Sequence, residues 1–313
     1  MTIQSDSMIV PPEPAAASGG PPLETHSRQY GILLIIGAYA MFAGLDTTAK
    51  WLTHSIPLME VVWARYVGAA LFALVAANPF ASPNVFHTRR FWLQNGRALT
   101  LLASTIVNFY ALQYLQLAQT VSISFAMPLV VALLAGPLLG EWVGPRRLVA
   151  IFVGFLGVLV VTRPGSSQFH PAMLLSLFGT LCYAGYGLST RVLAAYDSSR
   201  TTLTYSSLLG AVGMTLGLPW FWVWPQEGFT WMLMALTGLF GAVGHWLLIV
   251  AHRHAPASIL APFVYTELVW MVLLGLVVFN DVPGIWTMIG GLIVVSSGLY
   301  LWYRERVIKG EIA

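Results

Sequence analysis

From Gly31 onward the chain alternates between apolar runs of about 20 residues and short polar breaks, the period expected when a helix rising about 1.5 Å per residue crosses about 30 Å of hydrocarbon. The runs predict ten spans, over 31–51, 59–78, 95–115, 119–139, 146–163, 172–191, 201–221, 230–250, 257–278 and 285–303. Residues 1–30 are rich in Pro, Ala, Gly and Ser and hold no apolar run that could pack or act as a signal-peptide core, so they read as a disordered tail. A short second tail follows from 306 to 313. Gly179, Gly185 and Gly187 in the sixth run, and Gly210, Gly213 and Gly217 in the seventh, are compatible with spans because small residues let membrane helices approach closely.

Composition sharpens this into an all-α integral membrane fold. Charged residues make up 9% of the 313 positions, where a soluble domain carries about 25%, and the mean hydropathy is +0.74. The single cysteine, Cys182, rules out a disulfide framework and any multi-cysteine metal site. A formal charge of +3 does not point to nucleic acid, since the basic residues form no tract. They report orientation instead: with the N-terminus in the cytoplasm, 12 of the 15 fall inside, including the groups Arg89, Arg90, Arg97 and Arg146, Arg147. Lys50 and Arg163 fall outside, and Arg65 lies within a span. An even number of spans returns both termini to one face. Nine tryptophans, among them Trp51, Trp92, Trp220 and Trp286, stand near span ends as an interfacial belt. The implied location is the cell inner membrane.

An internal duplication is visible. Residues 42–52 align without a gap on 183–193 at an offset of 141, with Lys50 on Arg191 and Thr48 on Ser189, and the same offset sets Gly157 on Gly298. Five spans per half make the second repeat start from the opposite face, giving two inverted five-helix repeats, over 31–165 and 170–305. Inverted repeats around a midplane site are a recurring secondary-transporter design, because related halves of opposite orientation exchange conformations at similar energy. Retention of the duplication for packing alone is the alternative.

The stretch from Phe109 to Gly165, with an Ala-Leu before a small-residue helix, Pro128, a run ending in Leu-Gly-Glu at Glu141, and Gly154 and Gly157 beyond it, resembles the first-half signature of the EamA-type drug/metabolite transporter superfamily. The second half is similar from Ala251 to Glu305, with Asp281 near the place of Glu141. It departs where the family often has proline in the ninth helix: Thr266 and Glu267 stand there, and Pro262 is displaced. The resemblance implies transport of a small metabolite, such as an amino acid, a vitamin or a related compound, by import or export.

Charge inside a span costs about 3 kcal/mol unless paired or hydrated, so the few cases stand out. Glu267 sits ten residues into the ninth span with no Lys or Arg at helical spacing, suited to a cationic group or a proton, or else hydrogen-bonded between helices. Asp46 and Arg65 fall at one depth on adjacent antiparallel spans and predict an ion pair, with Lys50 at i+4 a competing partner. Such a pair serves either packing or a gate and substrate-carboxylate site. His245 shares a small-residue face with Gly238 and Gly241, and Asn108 lies in the corresponding span of the first half. Trp63, Tyr110, Tyr183, Tyr186, Trp246, Tyr265 and Trp270 are candidates for stacking or cation–π contact with an amphipathic ligand, with core packing the plainer account of each. Pro128 and Pro262 free backbone carbonyls and allow bending. Glu141 and Asp281 read as caps or loop contacts.

Catalytic motifs are absent: no H-E-x-x-H, G-x-S-x-G or phosphate loop. His252 and His254 flank Arg253 but form no adequate metal site. The reading is thus a secondary transporter with no cofactor and no metal, working by alternating access on a small-molecule substrate. Protons are the candidate coupling ion, the bilayer is the surrounding partner, and a homodimer is one admissible assembly. An integral-membrane enzyme acting on lipid is the alternative, although the interfacial nucleophile or ligand cluster it needs is not found.

Overall fold

The computed structural model describes residues 25–77, 83–139, 144–193, 196–255 and 257–308. Twelve α-helices occur among these residues: α1 (Thr25–Leu52), α2 (Leu58–Ala77), α3 (Phe91–Leu112), α4 (Leu117–Ser124), α5 (Met127–Leu139), α6 (Pro145–Thr162), α7 (Ala172–Leu193), α8 (Ser199–Phe221), α9 (Gly228–His254), α10 (Ala257–Leu260), α11 (Thr266–Phe279) and α12 (Ile285–Ile308). No strand is found among the described residues. The helices fall on the ten expected runs, with the fourth and ninth runs each broken in two. Six residues assigned to the N-terminal tail, 25–30, belong instead to the first turns of α1. Likewise, α12 runs on to Ile308, beyond the expected 303.

Eight segments are long and apolar enough to cross a membrane, so the chain is a multi-pass membrane protein. The two that fall short are α3 and α8. At 22 and 23 residues each reaches about 33 Å or more, so composition rather than length sets them apart. Helix α8 carries a Ser/Thr-rich first half whose hydroxyls turn back onto its own carbonyls: Thr202 to Ser198, Ser206 to Thr202 and Ser207 to Leu203. Such i to i−4 bonds satisfy hydroxyls where water is excluded.

The prolines that the sequence marks lie at or beside both helix breaks. Pro128 is the second residue of α5 and has no N–H to give the carbonyl of Ser124, where α4 stops. In the ninth run Pro262 opens a 3-10 turn over Ala261–Tyr265, between α10 and α11. The expected bends are therefore full interruptions. Asn280 ends α11 in the left-handed conformation, which asparagine tolerates better than most residues.

The halves interdigitate. Helix α1 lies along α9 and α3 along α7, while α2 pairs with α8 and α6 with α12. Close crossings depend on glycine: a Cβ built on Gly68 of α2 would come 2.6 Å from the Gly238 Cα of α9. Gly68→Ile should therefore cost at least about 1–3 kcal/mol as an overpacked contact, seen as a lowered melting temperature in detergent. Gly96→Ala, where nothing lies within 4 Å of the added carbon, should leave it unchanged.

Candidate functional site

Asp46, in the last two turns of α1, accepts from the Nδ2 of Asn108 on α3 at 3.4 Å to each carboxylate oxygen. Glu267 does not lie in mid-helix as the sequence suggests; it stands in the first turn of α11, just after the 3-10 turn. A helix N-terminus offers unpaired N–H groups and a positive dipole end, which suit a carboxylate in a dry interior. Asp46 and Glu267 are electrostatic neighbours, and Tyr39 and Tyr183 also feel the Glu267 charge. The acidic half of the site is thus built by α1, α3, α7 and the start of α11.

Arg65 and His245 form the basic half. They line one cleft of about 20 Å³ with Tyr66, Tyr186, Ser206 and Ser207, a space on the scale of one water. The expected contact ion pair between Asp46 and Arg65 is not formed. Arg65 instead donates Nη1 to Thr105 Oγ1 at 2.8 Å and lies 4.8 Å over the Tyr66 ring, while its buried Nε has no hydrogen-bond partner. It acts on Asp46 only at longer range. His245 sets its ring edge against Phe42 at 5.0 Å. Tyr183 and Tyr186 stack at 5.5 Å, near-parallel.

Of the other aromatic candidates, Tyr265 packs edge-on against Phe125 across the two helix breaks. Trp270 is partly buried against the main core with an unpartnered indole N–H. Trp63 donates to Thr215 Oγ1 at 3.0 Å and meets Trp222 edge-on. Tyr110 is exposed beside Tyr114, and Trp246 is exposed on the outside of α9; neither joins the cluster.

Arg97 is the residue that sequence reasoning misplaced. Counted with the loop charges, it is 3% exposed in the structure. It donates to Thr190 Oγ1 (2.6 Å), Ser206 Oγ (2.7 Å) and the Thr202 carbonyl (3.1 Å), and lies 4.3 Å over Tyr186. Its i+4 spacing to Leu101 and i+8 spacing to Thr105, both buried on α3, was the signal available.

Further links join the halves at both ends of the bundle. On the face of the N-terminus, Asp197 accepts from Thr88, the Arg89 amide and Gln94. On the opposite face Lys50 donates to Asp281 Oδ2 at 2.8 Å and to the Leu115 carbonyl at 3.0 Å. Asp281 is therefore an ion-pair partner and not merely a cap, and Lys50 turns to it instead of Asp46. Nearby, fully buried Glu60 accepts from the Val223 amide. Glu141 and Trp142 lie outside the described residues. Among the described residues no group of three His, Cys, Asp or Glu could hold a metal.

Lys50→Met should cost about 3 kcal/mol, the low end for a broken buried pair because Asp281 keeps some solvent contact. Adding Asp281→Leu should restore most of the loss in thermal melts. Asp197 gives a pH signature. Burial acts against its charge, but the bonds from Thr88, Gln94 and the Arg89 amide hold its carboxyl below the usual range. Its contribution is thus complete above the ordinary value of about 3.9 and is lost as pH falls through the lower folded value. Asp197→Asn should remove that acid-side loss and lower stability near neutrality.

The comparisons agree with this architecture. A riboflavin transporter of Brucella anthropi is 26% identical over 281 residues, covering 87% of this chain and 98% of that protein. One from Vibrio cholerae is 27% identical over 284, covering 90% and 95%. An S-adenosylmethionine uptake transporter of Rickettsia bellii is 26% identical over 287, covering 91% and 96%. A solved crystal structure shares the fold with a TM-score of 0.61 at 16% identity, over 87% of this chain and 96% of that one. The EamA-like transporter family matches twice, over residues 29–163 and 170–303. With that double match across most of its length, the chain belongs to the EamA-like transporter family, and it is a small-molecule transporter rather than an enzyme.

Proposed function

We propose that the protein is a secondary active transporter of the inner membrane that moves a small polar or amphipathic metabolite by alternating access, with both termini cytoplasmic and ten spans arranged as two inverted repeats. The observation that carries this reading is the interior cluster itself. Two carboxylates, Asp46 and Glu267, face each other electrostatically with no cation in contact among the described residues, and the buried Arg65 stands near with an unsatisfied Nε. Intramembrane charge without a contact partner is expensive, and it is the usual mark of a substrate or ion pathway. The bipolar arrangement suits a ligand with a cationic or hydrogen-bonding end toward Asp46 and Glu267 and an anionic or acceptor end toward Arg65 and His245. Tyr183 and Tyr186 offer ring faces between.

Several features support the inverted arrangement. Exchanging the halves turns the α1–α9 contact into the α3–α7 contact and maps α2–α8 and α6–α12 onto themselves. The broken segments also correspond, since the offset of 141 carries Phe125 between α4 and α5 to Thr266 at the start of α11. Discontinuous helices at a midplane site are a repeated transporter device. A cleft of about 20 Å³ admits no metabolite, so a ligand reaches it only when the halves move apart. The names of the relatives, riboflavin and S-adenosylmethionine, support a ring-bearing metabolite and favour uptake. A proton exchanged on the Asp46 and Glu267 pair would supply the coupling.

The test compares metabolites inside and outside cells carrying the wild type, Glu267→Gln or no copy, at matched expression. One compound should shift across the membrane with the wild type alone, and Glu267→Gln should slow it by at least about tenfold, the scale of an intramembrane carboxylate lost from a pathway. Compounds altered chemically instead of moved would overturn the reading. So would wild-type rates in the Glu267→Gln, Asp46→Asn and Arg65→Ala variants, as far as this site is concerned.

A further inference from the structure

A second cavity lies away from the proposed transport site. Helices α6 and α12 touch where a Cβ on Gly157 would come 2.9 Å from the Gly290 carbonyl, and Ser297 donates to the Ala150 carbonyl one to two turns closer to the N-terminal face. Alongside this crossing runs an open groove of about 650 Å³, walled by Val149, Val153, Ile289 and Leu292 and reaching Arg146 and Tyr300 at one end. Val149 and Leu292 are largely exposed, so the walls face the surroundings of the bundle, which for a multi-pass membrane protein is lipid.

The two ends of the groove differ in chemistry. One is wholly apolar. The other carries Arg146 itself, Arg147 beside it on the first turn of α6, and Arg304 one turn beyond Tyr300 on α12. Neither Arg147 nor Arg304 finds a hydrogen-bond partner for its buried Nε, and none of the three is ion-paired among the described residues. Arg146 thus stands at the mouth of an acyl-chain-sized groove, and Arg147 and Arg304, its neighbours along α6 and α12, add positive charge to the same end of the two helices. Guanidinium is the side chain best matched to phosphate oxygens.

We propose that this groove binds an anionic phospholipid from the leaflet on the side of the N-terminus, one acyl chain lying between α6 and α12 and the phosphate held by Arg146, Arg147 and Arg304. The charge pattern selects this occupant over a zwitterionic lipid, for which the arginines would be an uncompensated cost. It also argues against a second copy of the chain, which would bring the same three positive charges toward an isologous interface. The inference is independent of the substrate and of the transport cycle.

The experiment uses the full chain in nanodiscs of phosphatidylcholine alone or mixed with phosphatidylglycerol, with bound lipid counted by native mass spectrometry after release. The wild type should retain phosphatidylglycerol over phosphatidylcholine by roughly fivefold for each arginine engaged, and should melt higher in the mixed discs. Arg146→Gln, Arg147→Gln and Arg304→Gln together should abolish both effects while leaving the melting temperature in pure phosphatidylcholine unchanged. Leu292→Trp, which fills the groove and keeps the charges, should also lose the retained lipid, and it decides the matter if the triple variant does not fold. Equal retention of both lipids by the wild type would overturn the proposal. So would undiminished phosphatidylglycerol retention in Leu292→Trp, or efficient Leu292→Cys cross-linking between two copies regardless of lipid.

Discussion

A polar group that finds no partner in hydrocarbon costs several kcal/mol, and this constraint organises the rest of the molecule. It requires helices throughout, and it explains the hydroxyl back-bonds that let α8 remain Ser/Thr-rich within the bundle. It also governs the charges. Lys50, nearly enclosed, is held by one carboxylate, one carbonyl and the face of Phe279. Arg97 is held by two hydroxyls, a carbonyl and the face of Tyr186. Against that background of satisfied cations, Asp46, Glu267 and Arg65 stand apart, because neither carboxylate meets a cation among the described residues and the buried Nε of Arg65 has no partner.

The helix breaks give that cluster its position. In an unbroken ninth helix, Glu267 would project from a wall of satisfied backbone and face apolar neighbours. The 3-10 turn before it places the carboxylate instead in the first turn of a helix, where the dipole lowers the cost of charge. On the other side of the bundle the gap between α4 and α5 brings Phe125 against Tyr265, so the two interruptions meet each other. Backbone irregularity in a membrane survives only where it is buried in protein or lines a cavity. Here the two breaks pack on each other, next to Glu267.

Much of this was legible in the sequence, and the misses share a cause. Apolar run length fixed the helices to within a few residues because bilayer thickness sets it, and the prolines located both breaks. Glu267, Asp46, Asn108, Arg65 and His245 stood out as interior polar positions because charge or polarity inside an apolar run is conspicuous. Facing was not. A membrane helix is apolar toward lipid and toward its neighbours alike, so nothing in the pattern distinguished Tyr186, inside, from Trp246 and Tyr110, outside. Nor could local spacing find the Lys50 partner, 231 residues away. Arg97 was misread for a related reason: the rule that sorts loop charges cannot separate a guanidinium at the surface from one a turn deeper that hydroxyls of another half have captured.

These captured charges bear on how the halves would move. The cleft is narrow, and both ends of the bundle are tied between halves, though by different chemistry. At the N-terminal face the ties are many and distributed, with Asp197 and Arg97 each sharing several donors or acceptors with the first or second half. At the opposite face one ion pair, Lys50 with Asp281, is the principal charged link, backed by the Glu60 and Val223 contact. Separating the Asp197 and Arg97 network requires several polar groups to be rehydrated together, whereas parting Lys50 from Asp281 rehydrates one enclosed cation and a carboxylate that already meets solvent. Among contacts of the described residues, the face of Lys50 is therefore the one that opens with fewer simultaneous losses, and on the proposed cycle it is the side through which the cleft would first admit solute.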